Sequence, residues 1–135
     1  MAEKTFAMLK PDVVKAGNIG KVISMIEQNG FNIVRMEKIK IPREKAELFY
    51  AVHKEKPFYD ELVDFVTSGP VVVMALEKDG AIVAWRELMG ATDPAHAAPG
   101  TIRQQFGTNI GINAVHGSDA PETAEVELKL FFPEL

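Results

Sequence analysis

Apolar positions along the chain change period from segment to segment. Thr5–Leu9 is a short apolar run stopped by Lys10-Pro11. Proline cannot donate to a sheet ladder and drives its predecessor to extended geometry, so the run predicts a central strand with Lys10 at its end. Ile19, Val22, Ile23 and Ile26 recur at i, i+3, i+4 and i+7. That spacing predicts a helix entered through Gly17–Gly20 and closed by Asn29-Gly30. Phe31–Ile41 alternates imperfectly and predicts a strand with an irregularity. Pro42 opens a helix to about Ala51, and Pro57 opens another with Phe58, Leu62, Phe65 and Val66 on its stripe, closed by Ser68-Gly69. Pro70–Glu77 reads as a second buried strand and Asp79-Gly80 as a turn. Ala81–Met89 reads as a helix that points Ala81, Trp85, Leu88 and Met89 inward.

The regularity fails from Gly90 to about Asn113, a stretch rich in Gly, Pro, Thr, Asn and Ala. Within it only Thr101–Phe106 looks helical, with Thr101 and Gln104 as a capping box. Irregular segments of this length inside a compact domain usually carry function. Ile112–Val115 predicts a short strand. Asp119 is expected to cap a last helix, Pro121–Phe132, with Glu122 completing the box. Few strands among several helices around one sheet give an α/β or α+β fold.

Composition narrows the class. The chain has 135 residues, 47% hydrophobic and 25% charged, which fits one globular domain over residues 1–135. Its formal charge of −4 argues against a nucleic-acid footprint over the whole surface. There is no cysteine, so thiol catalysis, disulfides and iron–sulfur clusters are excluded. Met1-Ala2-Glu3-Lys4 lacks the basic start and apolar stretch of a signal peptide. The longest apolar run, Val71–Leu76, is far short of the ~20 residues that span a bilayer. The expectation is a cytoplasmic protein with no membrane partner.

The candidate chemistry lies near the C-terminus. Gly17-Asn18-Ile19-Gly20-Lys21 is no phosphate-wrapping P-loop: two residues separate its glycines and Val22 follows the lysine. His53, beside Lys54, Glu55 and Lys56, reads as solvated surface, and His96 lies among alanines. His116 differs, because it follows an apolar strand and precedes Gly117-Ser118-Asp119 and a helix N-terminus, a place that suits an anion. Gly117 removes a side chain beside the ring. On the last helix Ala120, Ala124, Leu128 and Phe131 share one face, and Glu127 falls inside that apolar arc. A carboxylate there is costly unless paired. His116 is the partner at hand, helped by Ser118, and such a carboxylate would fix the imidazole tautomer. Arg103 is the only Lys or Arg between Arg86 and Lys129. With Lys10, these two guanidiniums could form a phosphate pocket around His116.

Asn113-Ala114-Val115-His116-Gly117-Ser118-Asp119 resembles the NxxHGSD signature of nucleoside diphosphate kinases. Further blocks match in order: Thr5-Phe6 to Lys10-Pro11-Asp12, Lys56-Pro57-Phe58, Ser68-Gly69-Pro70-Val71-Val72, Met89–Pro94 and Pro99–Arg103. The resemblance implies an α+β sandwich, a ferredoxin-like βαββαβ core with a four-stranded antiparallel sheet. It implies ping-pong transfer of a γ-phosphate from a nucleoside triphosphate to a nucleoside diphosphate, through a phosphohistidine at His116, with Mg²⁺ carried mainly by the nucleotide phosphates. Glu127 matches the glutamate that orients the ring, Ser118 its support, and Tyr50 a tyrosine close to it. Arg86, Thr92 and Arg103 match phosphate contacts, and Lys10 and Asn113 match contacts to the phosphates and the ribose 3′-OH. Phe58 and Ile110 match the pair that sandwiches the base, which implies low base specificity. Phe58 is then a ring facing out of the first helical turn and not a core residue. ATP and other nucleoside di- and triphosphates are the implied partners. A homo-oligomer is implied too, a tetramer or hexamer. The chain stops at Phe131–Leu135 where many relatives continue, which leaves a dimer open as well. Trp85 is bulkier than expected beside Arg86. The alternative class is a nucleotide-binding module without turnover, which would tolerate loss of His116.

Overall fold

A computed structural model describes residues 2–135; the expectation placed on Met1 lies outside them. Strand β1 (Ala2–Leu9) leads through helix α1 (Pro11–Lys15) and helix α2 (Ile19–Gln28) to strand β2 (Asn32–Ile39). Helices α3 (Arg43–Phe49) and α4 (Tyr59–Val66) follow, separated by a 3-10 turn at Ala51–His53. Strand β3 (Val71–Asp79) and helix α5 (Ala81–Met89) come next. A 3-10 turn at Pro94–His96, helix α6 (Ile102–Phe106), strand β4 (Val115–Gly117) and helix α7 (Pro121–Phe131) complete the chain. The sheet runs β2-β3-β1-β4 with every pairing antiparallel. This is the expected βαββαβ order, with α3 and α4 inserted between the second and third strands.

The sequence of β1 explains why it is central. Phe6, Ala7, Met8 and Leu9 are apolar on both faces and all are fully buried. Ala7 and Leu9 join Val22, Ile26, Val72, Met74, Trp85 and Ile102 in one core. Phe6 and Met8 join Ala46, Phe49, Val63, Val73 and Phe131 in the core on the opposite face. A strand covered on both sides reads as a continuous apolar run. Burial of each large side chain contributes roughly 1.5–3 kcal/mol. The imperfect alternation of β2 corresponds to a register shift between Ile33 and Arg35, as expected.

Several local expectations are corrected. Pro11 stops β1 but also opens α1, occupying its first turn where no N–H is needed. The last strand covers Val115–Gly117 and not Ile112–Val115, because Ala114 adopts a φ of 75° and breaks the extended run. Asp119 does not cap α7; the cap position is Ala120, one residue later, and no side chain bonds there. Thr101 does cap α6, accepting from the Gln104 N–H at 3.4 Å, but Gln104 Oε1 accepts from Gly100 N–H instead of closing the box. α4 begins at Tyr59, after the expected Pro57, and its fully buried positions are Val63 and Val66, with Leu62 and Phe65 only half-buried; Phe58, just before it, is exposed, as the resemblance implies. On α5, Ile82 is buried and Leu88 half-buried.

Candidate active site

The end of β1, the loop before β4 and the last turns of α5 converge on one cavity. Lys10, Tyr50, Phe58, Arg86, Thr92, Arg103, Ile110, Asn113, His116 and Glu127 all line it. Its volume, about 1420 Å³, exceeds that of an ordinary drug-sized pocket. Ser118 lies just behind the lining.

His116 sits in mid-β4 and pairs with Met8 of β1. Its Nε2 lies 3.1 Å from Glu127 Oε1. The Ser118 hydroxyl donates to the same Oε1 at 2.7 Å. Glu127 is 7% exposed and Ser118 fully buried, so the carboxylate has the hydrogen bonds that a buried acceptor needs. The apolar arc of α7 therefore contains Glu127 for a reason: the helix aims it at the ring. With Nε2–H donating to a carboxylate, the lone pair resides on Nδ1. Phe49 packs edge-on against the imidazole at 4.7 Å between centroids, and Phe6 lies 6.0 Å away. Tyr50 packs on Phe49 and is itself buried. Burial, then the nearby Glu127, pushes the Tyr50 phenol well above its ordinary range, so its hydroxyl keeps its proton.

The cations are arranged unequally. Lys10 is 6% exposed, and its Nζ donates to Asn113 Oδ1 at 2.9 Å. Burial and the Arg103 charge lower its pKa to about 8, against partial compensation from Asp12. Arg103 is also buried. It was expected to offer its guanidinium fork to phosphate, but three of its donors are already engaged. Nε donates to Asn113 O at 3.3 Å, Nη1 to Gly90 O at 3.0 Å and Nη2 to Val115 O at 2.9 Å. It acts as a strut between α5 and the His116 segment, with one donor free on each terminal nitrogen. Burial, then the neighbouring Arg86 charge, lowers its pKa to about 10. Arg86, on α5, is exposed, and Thr92 lies in the irregular loop, where its carbonyl accepts from Asn113 Nδ2. Phe58 and Ile110 are 42% and 62% exposed.

Three features were misread or missed in the sequence. His53 is half-buried, not solvated; its ring lies 5.6 Å from Phe58 and 6.4 Å from Tyr50, on the cavity wall. Gly117 makes room for Trp85 more than for the imidazole: an added Cβ would clash with Trp85 Cδ1. Trp85 is fully buried, and its indole N–H donates to the His116 carbonyl at 3.2 Å. A tryptophan and a glycine 32 positions apart carry no sequence signal of such contact. Among the described residues, no cluster of three or more His, Asp or Glu side chains could hold a metal ion.

The model of the family described as "Nucleoside diphosphate kinase" matches residues 3–135. A nucleoside diphosphate kinase of Desulfotalea psychrophila is 56% identical over 133 residues, covering 98% of this chain and 97% of the relative. One of Deinococcus radiodurans is 54% identical over 130 residues, covering 96% and 94%. Among solved structures, the Aquifex aeolicus nucleoside diphosphate kinase superposes with a TM-score of 0.96 at 44% identity, covering 98% of this chain and 96% of that one. The Halobacterium salinarum nucleoside diphosphate kinase in complex with CDP gives 0.95 at 45% identity, covering 99% and 90%.

Proposed function

Because the chain belongs to the nucleoside diphosphate kinase family, we propose that it moves a γ-phosphate between nucleotides through a covalent phosphohistidine at His116. The observation that carries this reading is the His116–Glu127–Ser118 chain, set in a cavity with three cations. Glu127 holds the Nε2 proton, so Nδ1 presents its lone pair to the γ-phosphorus. An N–P bond forms as the P–O bond to the leaving diphosphate breaks. A second nucleoside diphosphate then attacks the same phosphorus, and the imidazole leaves with its lone pair restored. One site serves donor and acceptor in turn, which is what a covalent intermediate permits.

Such transfer depends on placing the reactants and neutralising charge. In this reading Arg86 and the free donors of Arg103 meet the transferring oxygens. Lys10, Asn113 and Thr92 hold the phosphates and the ribose 3′-OH, and Tyr50 walls the ring. Mg²⁺, when bound, would neutralise phosphate charge; among the described residues no cluster of His, Asp or Glu could hold it alone, so nucleotide phosphates would supply most of its ligands, with Asp119 among the carboxylates on the cavity wall. Phe58 and Ile110 would sandwich the base. Stacking reads a ring face and not base edges, so base specificity is low. Phe58 and Ile110 are exposed at the cavity wall, which supports this role.

The reading extends to a cytoplasmic homo-oligomer, tetramer or hexamer, whose partners are nucleotides and not nucleic acid or membrane. Among the described residues no helix is long and apolar enough to cross a membrane. The open edge of β2, with Met36 49% exposed, is a surface that a second copy could cover.

The test is intact-mass spectrometry after brief exposure to ATP and Mg²⁺, followed by a different nucleoside diphosphate. The expected result is one acid-labile phosphate on His116, lost as the new triphosphate appears. Nucleotide binding without a phosphoprotein would overturn the mechanism and leave the binding-module reading.

A further inference from the structure

Ala114 is the sole non-glycine residue with positive φ among the described residues, at 75°. It is fully buried. The Val115 N–H donates across it to Asn113 O at 2.9 Å. A three-residue bond at this φ marks the strained form of the γ-turn, rare for a residue with a Cβ. Such strain persists only where the surroundings over-determine it, and it clusters at functional sites. Here the surroundings are two residues from the start of the chain. The Ala114 carbonyl accepts from Lys10 N–H at 2.8 Å, and the Ala114 N–H donates to Asp12 Oδ2 at 3.1 Å. The residues flanking the turn are the ones that hold the cations. Asn113 bonds Lys10 Nζ, and Asn113 O and Val115 O anchor Arg103. His116 follows directly.

Asp12 stands in the first turn of α1, where backbone N–H groups favour a carboxylate. Its Oδ1 is buried without a partner, and burial holds its carboxyl above the ordinary acid range. Nothing in the proposed reaction uses this carboxylate. Its Oδ2 is the atom that engages the fully buried Ala114.

We propose that Asp12 is a positioning residue: by holding the Ala114 N–H it locks the γ-turn that sets Asn113, Arg103 and His116 in register with Lys10. It acts through Ala114 and does not touch substrate. The proposal rests on the phosphotransfer reading, and its test separates the two.

Three variants are compared with the parent protein: Asp12→Ala, Asp12→Asn, and Asp12→Ala combined with Ala114→Gly. Two quantities are read. One is the rate of His116 phosphorylation in a single turnover at saturating ATP and Mg²⁺, per folded molecule. The other is hydrogen exchange at the Ala114 amide. Asp12→Ala should lose protection at Ala114 and slow phosphorylation by about tenfold or more, because small misplacements of reacting groups cost that much. Nucleotide affinity should change less than the rate. Asp12→Asn keeps an acceptor without the charge and should retain most of both signals. Glycine adopts positive φ without strain, so Ala114→Gly should restore much of the rate lost in Asp12→Ala. Parental protection at Ala114 in Asp12→Ala, or an unchanged rate per folded molecule, would overturn the proposal. So would a rate that Ala114→Gly fails to raise. If the parent protein itself takes no phosphate, the phosphotransfer reading fails, and the exchange measurement still decides whether Asp12 locks the turn.

Discussion

Glu127 is the residue whose role is most constrained by its surroundings. Its Oε1 receives both Ser118 Oγ–H and His116 Nε2. Truncation in Glu127→Ala would strand two donors next to the core, at ~1–3 kcal/mol for each buried group left unpaired. It would also free the ring to rotate and to place its proton on Nδ1. Phosphorylation of His116 is therefore expected to slow by about 10²-fold in Glu127→Ala, since orientation of a reacting group is worth that much. Glu127→Gln keeps one acceptor oxygen and should lose less. Rapid-quench measurement of phosphoenzyme formation distinguishes them; equal losses would mean that the charge, and not the acceptor, is what matters. Ser118→Ala should fall between Gln and the parent, because the ring contact survives. His116→Ala should form no phosphoenzyme.

Helices α5 and α7 meet the site through backbone as much as through side chains, and that is where the sequence becomes harder to read. Both helices were legible. Ala81–Met89 follows from its pattern, and the misplaced polar position in the apolar arc of α7 pointed to Glu127. Lys10 followed from the proline that stops β1. What stayed hidden depends on tertiary proximity. Arg103 spends three donors on carbonyls of Gly90, Asn113 and Val115, which no local pattern encodes. The shift of β4 depends on the turn at Ala114, a residue whose identity predicts the opposite conformation. The Trp85–Gly117 contact links α5 to β4 across a gap that only glycine allows. The consequence can be measured. Gly117→Ala would drive a methyl into the fully buried indole, and overpacking of this kind costs roughly 1–3 kcal/mol. Thermal unfolding should show that loss. Fluorescence of Trp85, the chain's only tryptophan, should shift as the indole is displaced from the His116 carbonyl. In Trp85→Phe the methyl has more room, so adding Gly117→Ala there should cost less than in the parent protein. Additive losses would show that the two residues do not share the space.

The whole molecule carries a formal charge of −4 and yet buries two cations side by side. That placement has a sign that can be worked out. Lys10 falls from the ordinary 10.5 to about 8, and Arg103 from the ordinary arginine range to about 10, chiefly through burial. A base with a depressed pKa in the folded state binds fewer protons folded than unfolded over the window between the two values. Stability of the ligand-free protein therefore rises with pH through that window, from about 8 to 10.5 for Lys10. Below about 8 the penalty for a buried charged Lys10 is fully present. Phosphates near Lys10 would reverse this by favouring its charged form, so the complex holds a proton that the free protein loses above about pH 8. Nucleotide binding should take up part of a proton near pH 8, and affinity should fall as pH rises beyond it. Thermal shifts measured with a nucleoside diphosphate at ~100 times its dissociation constant give a direct reading, worth ~2.7 kcal/mol of stabilisation where binding is tight. At a fixed nucleotide concentration, the shift should be larger at pH 7 than at pH 9. Calorimetry in buffers of different ionisation enthalpy should register the proton uptake, and Lys10→Met should remove it. A shift equal at the two pH values, with no proton uptake, would mean that Lys10 does not meet the phosphates.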